Sequence, residues 1–368
     1  MSLEATVNDS VTGKDPARAT AGAAKEFVKR ALVAAGTAPE VAGSVALALT
    51  ETSLRGVDSH GIRLIVHYVK VVQTGRINPA PSLSFTPTGP GTGVVDADHG
   101  FGHHASFFAM EHAEQLARES GIAAVTVINS SHFGSAGCYA LHAAERGLVS
   151  FAVCNSDSFV LPHDGMYPFH GTNPLAFAAP VPNERPFLVD MASSVIPWNR
   201  VQDLLNERME LPPDVSVDSD GDPTIDPARS AALLPLGGVR YGYKGAALAS
   251  MIEVLSAVLT GMPHCSRLLP MSGPDLSTHR RLGHFFIAID AARFVSSAIY
   301  NAAMAAYLAD LRSQQGRHDA KILAPGDREW LVEEDRRTRG IPVHDQLRID
   351  LDLLADDLGI ERLHYLER

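Results

Sequence analysis

Between residues 93 and 153 the chain alternates short apolar runs with segments of helical spacing, which restricts it to a fold in which helices pack on a sheet. The runs 93–97, 122–128 and 148–153 read as strands, and 105–119 and 136–145 read as the helices between them. Upstream, residues 23–35 have helical periodicity ending at Gly36, and a second helix starts at Pro39-Glu40 and reaches about residue 54. The spacing of Ile65, Tyr68 and Val69 predicts another helix, and the Pro- and Gly-rich stretch 75–92 predicts a linker holding a short strand at 82–85. Downstream, strands are expected at 175–179, 187–190 and 282–289, with a long apolar helix at 244–259. Residues 291–315 and the charged stretch to 368 return to helix, broken at Pro325-Gly326-Asp327. No internal repeat is present. The expected class is α/β, a sheet-centred core flanked by helices from both ends of the chain.

One motif points the wrong way. Gly100-Phe101-Gly102-His103-His104-Ala105 follows a strand, opens a helix and matches the G-x-G-x-x-A pattern of dinucleotide-binding units. Such a unit needs a carboxylate after its second strand to hold a ribose. Here Val125-Thr126-Val127-Ile128 runs into Asn129-Ser130-Ser131-His132, with no Asp or Glu. A conventional Rossmann domain is therefore not expected.

The residues suited to chemistry lie elsewhere. Asp58-Ser59-His60-Gly61-Ile62-Arg63-Leu64 sets an imidazole three residues from a guanidinium, with a hydroxyl beside the imidazole. On a helical turn His60 and Arg63 would share a face. The guanidinium fork suits a carboxylate, and the imidazole can exchange a proton near neutral pH. Ser130-Ser131-His132-Phe133-Gly134 and Asn155-Ser156-Asp157-Ser158 both follow strands, where α/β sheets bind ligands, although turn-formers and a helix-capping histidine would read the same way. Gly171-Thr172-Asn173-Pro174-Leu175 is a compact turn. Asp190, ending an apolar strand, is expected half-buried beside a His or Arg partner. Tyr241-Gly242-Tyr243-Lys244-Gly245 precedes the apolar helix, where free N–H groups and Lys244 would suit a phosphate.

Composition removes other classes. The chain of 368 residues is 45% hydrophobic and 20% charged, an ordinary globular balance, with net charge −11 from 31 basic against 42 acidic residues. Without a basic stripe, neither nucleic acid nor an anionic membrane is an expected partner. No run of 18 apolar residues exists, and residues 1–20 lack the apolar core of a secretory signal. Cys138, Cys154 and Cys265 have no CxxC spacing, so reduced thiols in a cytoplasmic protein are expected. His103-His104 and His163-Asp164 lack the spacing of a metal site, so no metal is expected, and no G-x-S-x-G marks a serine hydrolase.

Taken together, Asp58-Ser59-His60-Gly61, Ser131-His132-Phe133-Gly134, Gly171-Thr172-Asn173-Pro174-Leu175, Asp190-Met191-Ala192 and Lys244-Gly245 resemble, in order, the motifs of the malate/L-lactate dehydrogenase-2 family. The likeness covers roughly residues 22–310. It implies a non-Rossmann fold for NAD or NADP with a largely antiparallel sheet, and a helical domain formed by 20–75 plus 312–368 around a core of 76–311. It also implies a homodimer with its active site near the subunit interface. Catalytic roles fall to His60, His132 and Asp190, and substrate binding to Ser59, Arg63 and Tyr68. Cofactor contacts fall to Ser156, Thr172, Asn173, Asp190, Met191, Ala192 and Lys244. The expected reaction is hydride transfer at C2 of a small 2-hydroxy or 2-oxo acid of malate, lactate or ureidoglycolate type. Reduction of cyclic 2-imino acids is the alternative, and a non-catalytic nucleotide-binding relative a further one. Two departures stand out: Ile196-Pro197-Trp198-Asn199-Arg200 where relatives carry a small residue and Gly-Lys, and Lys244-Gly245-Ala246-Ala247 where they carry Lys-Gly-x-Gly.

Overall fold

The structure is a computed structural model and describes residues 16–367. A three-residue strand β1 (Ala17–Ala19) leads into α1 (Ala21–Ala34), whose first turn is capped by Thr20 accepting from the Ala23 N–H. Gly36, at φ 101°, ends it. Pro39 opens α2 (Pro39–Leu54), and α3 (Ile65–Gln73) follows two short 3-10 turns. The first hairpin of the sheet is β2 (Ser84–Gly89) and β3 (Thr92–Asp96), so the linker strand runs later and longer than the expected 82–85. Then come α4 (Gly102–Ser120), β4 (Ile122–Ser130), α5 (Gly137–Ala144), β5 (Val149–Cys154), β6 (Leu175–Ala179) and β7 (Phe187–Met191). A helix absent from the sequence reading, α6 (Trp198–Glu207), precedes a small ribbon of β8 (Ser216–Val217) and β9 (Ala232–Leu233). A single turn α7 (Gly238–Tyr241) runs into α8 (Tyr243–Glu253), extended by a π-helical turn over 254–258. The chain closes with β10 (Leu282–Ile289), α9 (Ser297–Arg312), α10 (Asp327–Arg339), β11 (Ile341–Val343) and α11 (Asp345–Leu358).

The main sheet has seven strands in the order β2-β3-β4-β10-β5-β6-β7. Only β3 and β4 run parallel; every other neighbouring pair is antiparallel. β10 lies at the centre because both its faces are covered: Leu282 through Phe286 are buried, and Phe286 faces Val125 on one side and Ala152 on the other. Burying a ring such as Phe286 contributes about 1.5–3 kcal/mol. The apolar faces of α4 and α5 cover the sheet through Met110, Phe107, Tyr139 and Leu141.

A second cluster is helical. Phe27, Leu32, Val45, Leu49, Ile65 and Tyr68 of α1 to α3 pack with Ile341, Val343, Leu351 and Leu354 from β11 and α11. β1 pairs with β11 antiparallel, Ala17 opposite Val343, and closes the cluster across most of the chain. All three cysteines are free and buried. Among the described residues no helix is long and apolar enough to cross a membrane.

The G-x-G-x-x-A motif does open the crossover helix of the parallel pair, but it serves the protein's own backbone. A Cβ at Gly102 would stand 2.3 Å from Ser131 O and 2.7 Å from His132 O. The Gly102 N–H, which a dinucleotide fold would offer to pyrophosphate, donates to Ser131 Oγ at 3.1 Å.

Candidate active site

The His60 segment is not one helical turn. Asp58–His60 and Ile62–Leu64 are separate 3-10 turns broken at Gly61, where a Cβ would stand 2.1 Å from Ser53 Oγ. That hydroxyl accepts from the Ile62 N–H at 3.0 Å, which draws the loop onto the end of α2. Arg336 of α10 clamps Asp58 with both arms, at 2.7 and 2.8 Å, and also donates to Ser53 O. Nδ1 of His60 lies 2.9 Å from Ser59 Oγ. Arg63 projects outward with 40% of its side chain exposed, its guanidinium 3.7 Å from Asp203 of α6.

His132 comes from the end of β4 and stacks on His60, with ring centroids 5.7 Å apart and planes inclined by 23°. Its Nδ1 is 2.6 Å from Tyr68 Oη. Tyr68 is 1% exposed, so it reaches the site through His132 and not by direct access to a substrate. No described residue hydrogen-bonds Nε2 of His60 or of His132, and neither atom is among the buried unpartnered ones, so both stay open to a ligand. Burial lowers the pKa of both rings, and for His132 the neighbouring His60 adds to the effect. Asp190 acts on His60 in the opposite sense, as the second-largest influence.

Asp190 is half-buried and within electrostatic reach of a histidine and an arginine, as expected, and a serine supplies its hydrogen bond. Ser135 Oγ donates to its Oδ2 at 2.5 Å, while His60 and Arg55 feel its charge through space. Gly137 leaves room for it, since a Cβ there would be 2.5 Å from Oδ2.

The motifs expected at the cofactor converge through backbone bonds. Ser156 Oγ meets Thr172 Oγ1 at 3.1 Å and accepts from the Asn173 N–H at 3.2 Å. Thr172 O accepts from both the N–H and Oγ of Ser193, Ser193 O from the Leu236 N–H, and Leu236 O from the Gly245 N–H. This chain of contacts sets Met191-Ala192 and Lys244 around the Ser156 turn. Gly245 is required there, because a Cβ would stand 2.2 Å from Leu236 N. Asn173 is 0% exposed, and its amide is held by Ser156 N, Ala249 O and Glu253 Oε1, so its side chain builds the turn and does not meet a ligand. The helix N-terminus expected at Lys244 is partly used by the protein itself: α7 runs into α8 through Gly242, and the Gly245 N–H bonds to Leu236 O, while the Ala246 N–H makes the first ordinary helical bond, to Gly242 O. Lys244 itself is exposed, its Nζ 5.7 Å from the Tyr241 ring and 6.0 Å from the Tyr243 ring.

A polar dinucleotide fits this cluster. Asn155 Oδ1, Ser158 Oγ and His170 Nδ1, which flank Ser156 and Gly171 in the chain, are buried polar atoms without a protein partner. Among the described residues no group of three His, Cys, Asp or Glu side chains could hold a metal.

Several contributors had no site role assigned from the sequence. Trp198 stacks on Phe159 at 5.2 Å with planes 8° apart, and Asn199 Nδ2 donates to Ser59 O at 3.1 Å. The departing 196–200 segment thus braces the His60 loop against the Ser156 loop. Arg280, 5% exposed, pairs with Asp157 and lowers the pKa of His132 and His67. His103 appeared in the sequence only within the glycine motif and as part of a His-His pair without metal spacing.

A sequence model of the malate/L-lactate dehydrogenase family matches residues 20–352. The malate dehydrogenase of Pyrococcus abyssi is 33% identical over 344 residues, 92% of this chain and 94% of that protein. The ureidoglycolate dehydrogenase (NAD(+)) of Escherichia coli K12 is 32% identical over 323 residues, 88% and 91% of the two chains. The crystal structure of Δ1-piperideine-2-carboxylate reductase from Pseudomonas syringae pathovar tomato superposes with a TM-score of 0.81 at 30% identity, covering 92% of this chain and 99% of that one.

Proposed function

The chain belongs to the malate/L-lactate dehydrogenase family, and from that premise we propose that it interconverts a small 2-hydroxy acid and its 2-oxo acid. It is an oxidoreductase dependent on NAD or NADP. The observation that carries the substrate reading is the stacked His60–His132 pair, with both Nε2 atoms open and His60 on the loop that presents Arg63. Arg63 grips the substrate carboxylate in a two-pronged hydrogen bond, displacing its weak contact with Asp203. Ser59 steadies His60, and Tyr68 steadies His132. One of the two imidazoles takes the hydroxyl proton at Nε2 during oxidation and returns it to the 2-oxygen during reduction, a role typically worth ~10²–10⁴-fold in rate. Asp190 stabilises the imidazolium that forms at His60. When bound, the nicotinamide supplies the hydride exchange with C2. Ser156, Thr172, Met191, Ala192 and Lys244 hold that cofactor, Asp190 borders it, and Asn173 shapes the turn they share.

The active form is a homodimer with the site near its interface. Support comes from the exposed apolar side chains of Met251, Val254, Val258 and Leu259 along the end of α8 and the turn that extends it, and of Phe294 and Ile299 around the start of α9. The division into a helical unit, 20–75 plus 312–368, and a core of 76–311 is supported by the two apolar clusters. Free, buried thiols support a cytoplasmic setting.

A second reading, reduction of cyclic 2-imino acids, is favoured by the likeness to the Pseudomonas syringae reductase. An assay at 340 nm with NADH and NADPH against pyruvate, oxaloacetate, piperideine- and pyrroline-2-carboxylate, with ureidoglycolate run in reverse, tests both. Turnover of a linear acid is expected. Turnover of cyclic imines alone would transfer the conclusion to the second reading. Tight NAD(P)H binding without any turnover would leave a nucleotide-binding relative.

A further inference from the structure

Tyr68 stands between two imidazoles. Its hydroxyl is 2.6 Å from His132 Nδ1 and 3.4 Å from His103 Nε2. The His103 ring meets the phenol edge-on, centroids 5.2 Å apart at 78°, and is 0% exposed. Its other nitrogen, Nδ1, is buried without a partner. Gly134, at φ 73°, makes room for this ring: a Cβ there would lie 2.9 Å from His103 Nε2. His103 therefore has one polar contact, and that contact leads to the site.

A phenol has one proton to give, so the neutral chain of three groups has two arrangements. In the first, His103 Nε2–H donates to Tyr68 Oη, Tyr68 O–H donates to His132 Nδ1, and His132 carries its own proton on Nε2. In the second every donor reverses, and His103 must keep an N–H on the nitrogen that has no acceptor. Orphaned buried N–H groups are rarer than under-satisfied acceptors, and the Nε2–H form is also the inherently preferred tautomer of histidine. The first arrangement wins on both counts.

We propose that His103 is a positioning residue which, through Tyr68, fixes His132 as its Nε2–H tautomer. The inference rests on the reading of His132 as a proton-handling partner of the substrate. It adds a direction: the resting site offers the 2-oxygen a hydrogen-bond donor, the form that polarises an oxo acid. An Nε2 that already carries a proton cannot take the hydroxyl proton of a bound hydroxy acid, so the proton of each turnover passes through Nε2 of His60, whose imidazolium the Asp190 carboxylate favours. His103 thus keeps His132 as the donor that polarises the 2-oxygen.

The test is nitrogen-15 NMR of histidine-labelled holoenzyme at neutral pH, with His132 assigned by its substitution, alongside kcat and KM in both directions. Wild type should show His132 protonated on Nε2 alone. His103→Phe should give a mixture of tautomers, with reductive kcat lower by roughly tenfold, one hydrogen bond's worth, and KM little changed. His103→Gln, whose amide can still donate to Tyr68, should restore both. If His103→Phe does not fold, Tyr68→Phe cuts the same chain and must give the same mixture. A wild-type His132 carrying its proton on Nδ1, or a tautomer and kcat indifferent to His103→Phe, would overturn the inference. The tautomer is read without substrate, so assays silent on every 2-oxo acid would count against the functional reading alone.

Discussion

Replacing Arg336 by Ala removes the clamp on Asp58, two residues before His60. Among the bonds lost are two charge-assisted ones to the Asp58 carboxylate, at 2.7 and 2.8 Å, and one to Ser53 O. Removing one partner of a buried ion pair costs about 3–5 kcal/mol. Here the Asp58 side chain is 47% exposed, so water re-solvates it, and the loss should be about 2–3 kcal/mol. At about 2–4 °C per kcal/mol for a chain of this class, the melting temperature should fall by roughly 5–10 °C. Activity should fall further than stability, because a freed loop lets His60 drift, and a displacement of about 1 Å can cost 10²-fold. Differential scanning calorimetry with kcat/KM on Arg336→Ala, Asp58→Ala and the double variant gives the coupling directly. Arg336→Lys keeps the charge without the fork and should recover only part of the loss. Additive losses in the double variant, or an Arg336→Ala enzyme with unchanged melting temperature and kcat, would refute the clamp.

Acid should destabilise the protein through its buried imidazoles. Burial lowers His103 and His284 each to about 3, below the ordinary histidine value, so between those limits the unfolded chain binds more protons. Stability is therefore complete above about pH 6.5 and falls on acidification by about 1.4 kcal/mol per pH unit for each ring, together about 4 kcal/mol by pH 5. Urea midpoints should drop accordingly between pH 7 and 5 and do so less in His103→Gln; equal midpoints would contradict the burial argument. Asp203→Asn should lower KM for a monocarboxylate by a factor of about 1.4 to 5 at low salt, since an exposed pair is worth about 0.2–1 kcal/mol, and the difference should fade at high salt. An unchanged KM would remove Asp203 from the reckoning of Arg63.

Local periodicity made the helices legible: Pro39 and Gly36 mark their ends because proline and left-handed glycine act on their own neighbours. The strands 175–179 and 282–289 were legible as apolar runs, and the polar clusters after β4 and β5 followed from where strands stop. What the residues did not disclose is pairing at a distance. Nothing in Leu282–Ile289 says that it lies between β4 and β5, because sheet order depends on contacts more than a hundred positions away. β1 and β11 are too short to show a period, and α6 was hidden by its charged composition. Asp58 gave no sign of Arg336, 278 positions on. His103 was obscured by a glycine pattern whose real use is the close approach of Gly102 to Ser131.

The β1–β11 ladder and the Arg336 clamp also set an order of events during synthesis. Chains emerge amino end first, and the helices α1 to α3 can form early. Yet Ala17–Ala19 waits for Ile341–Val343, and the Asp58 turn waits for Arg336. The loop bearing His60 is thus among the earliest segments translated and among the last secured. Contacts of such long sequence separation slow folding. A ribosome stalled before α10 would hold helices already in place around an acid/base loop with no anchor, so competence arises only as the final helices emerge.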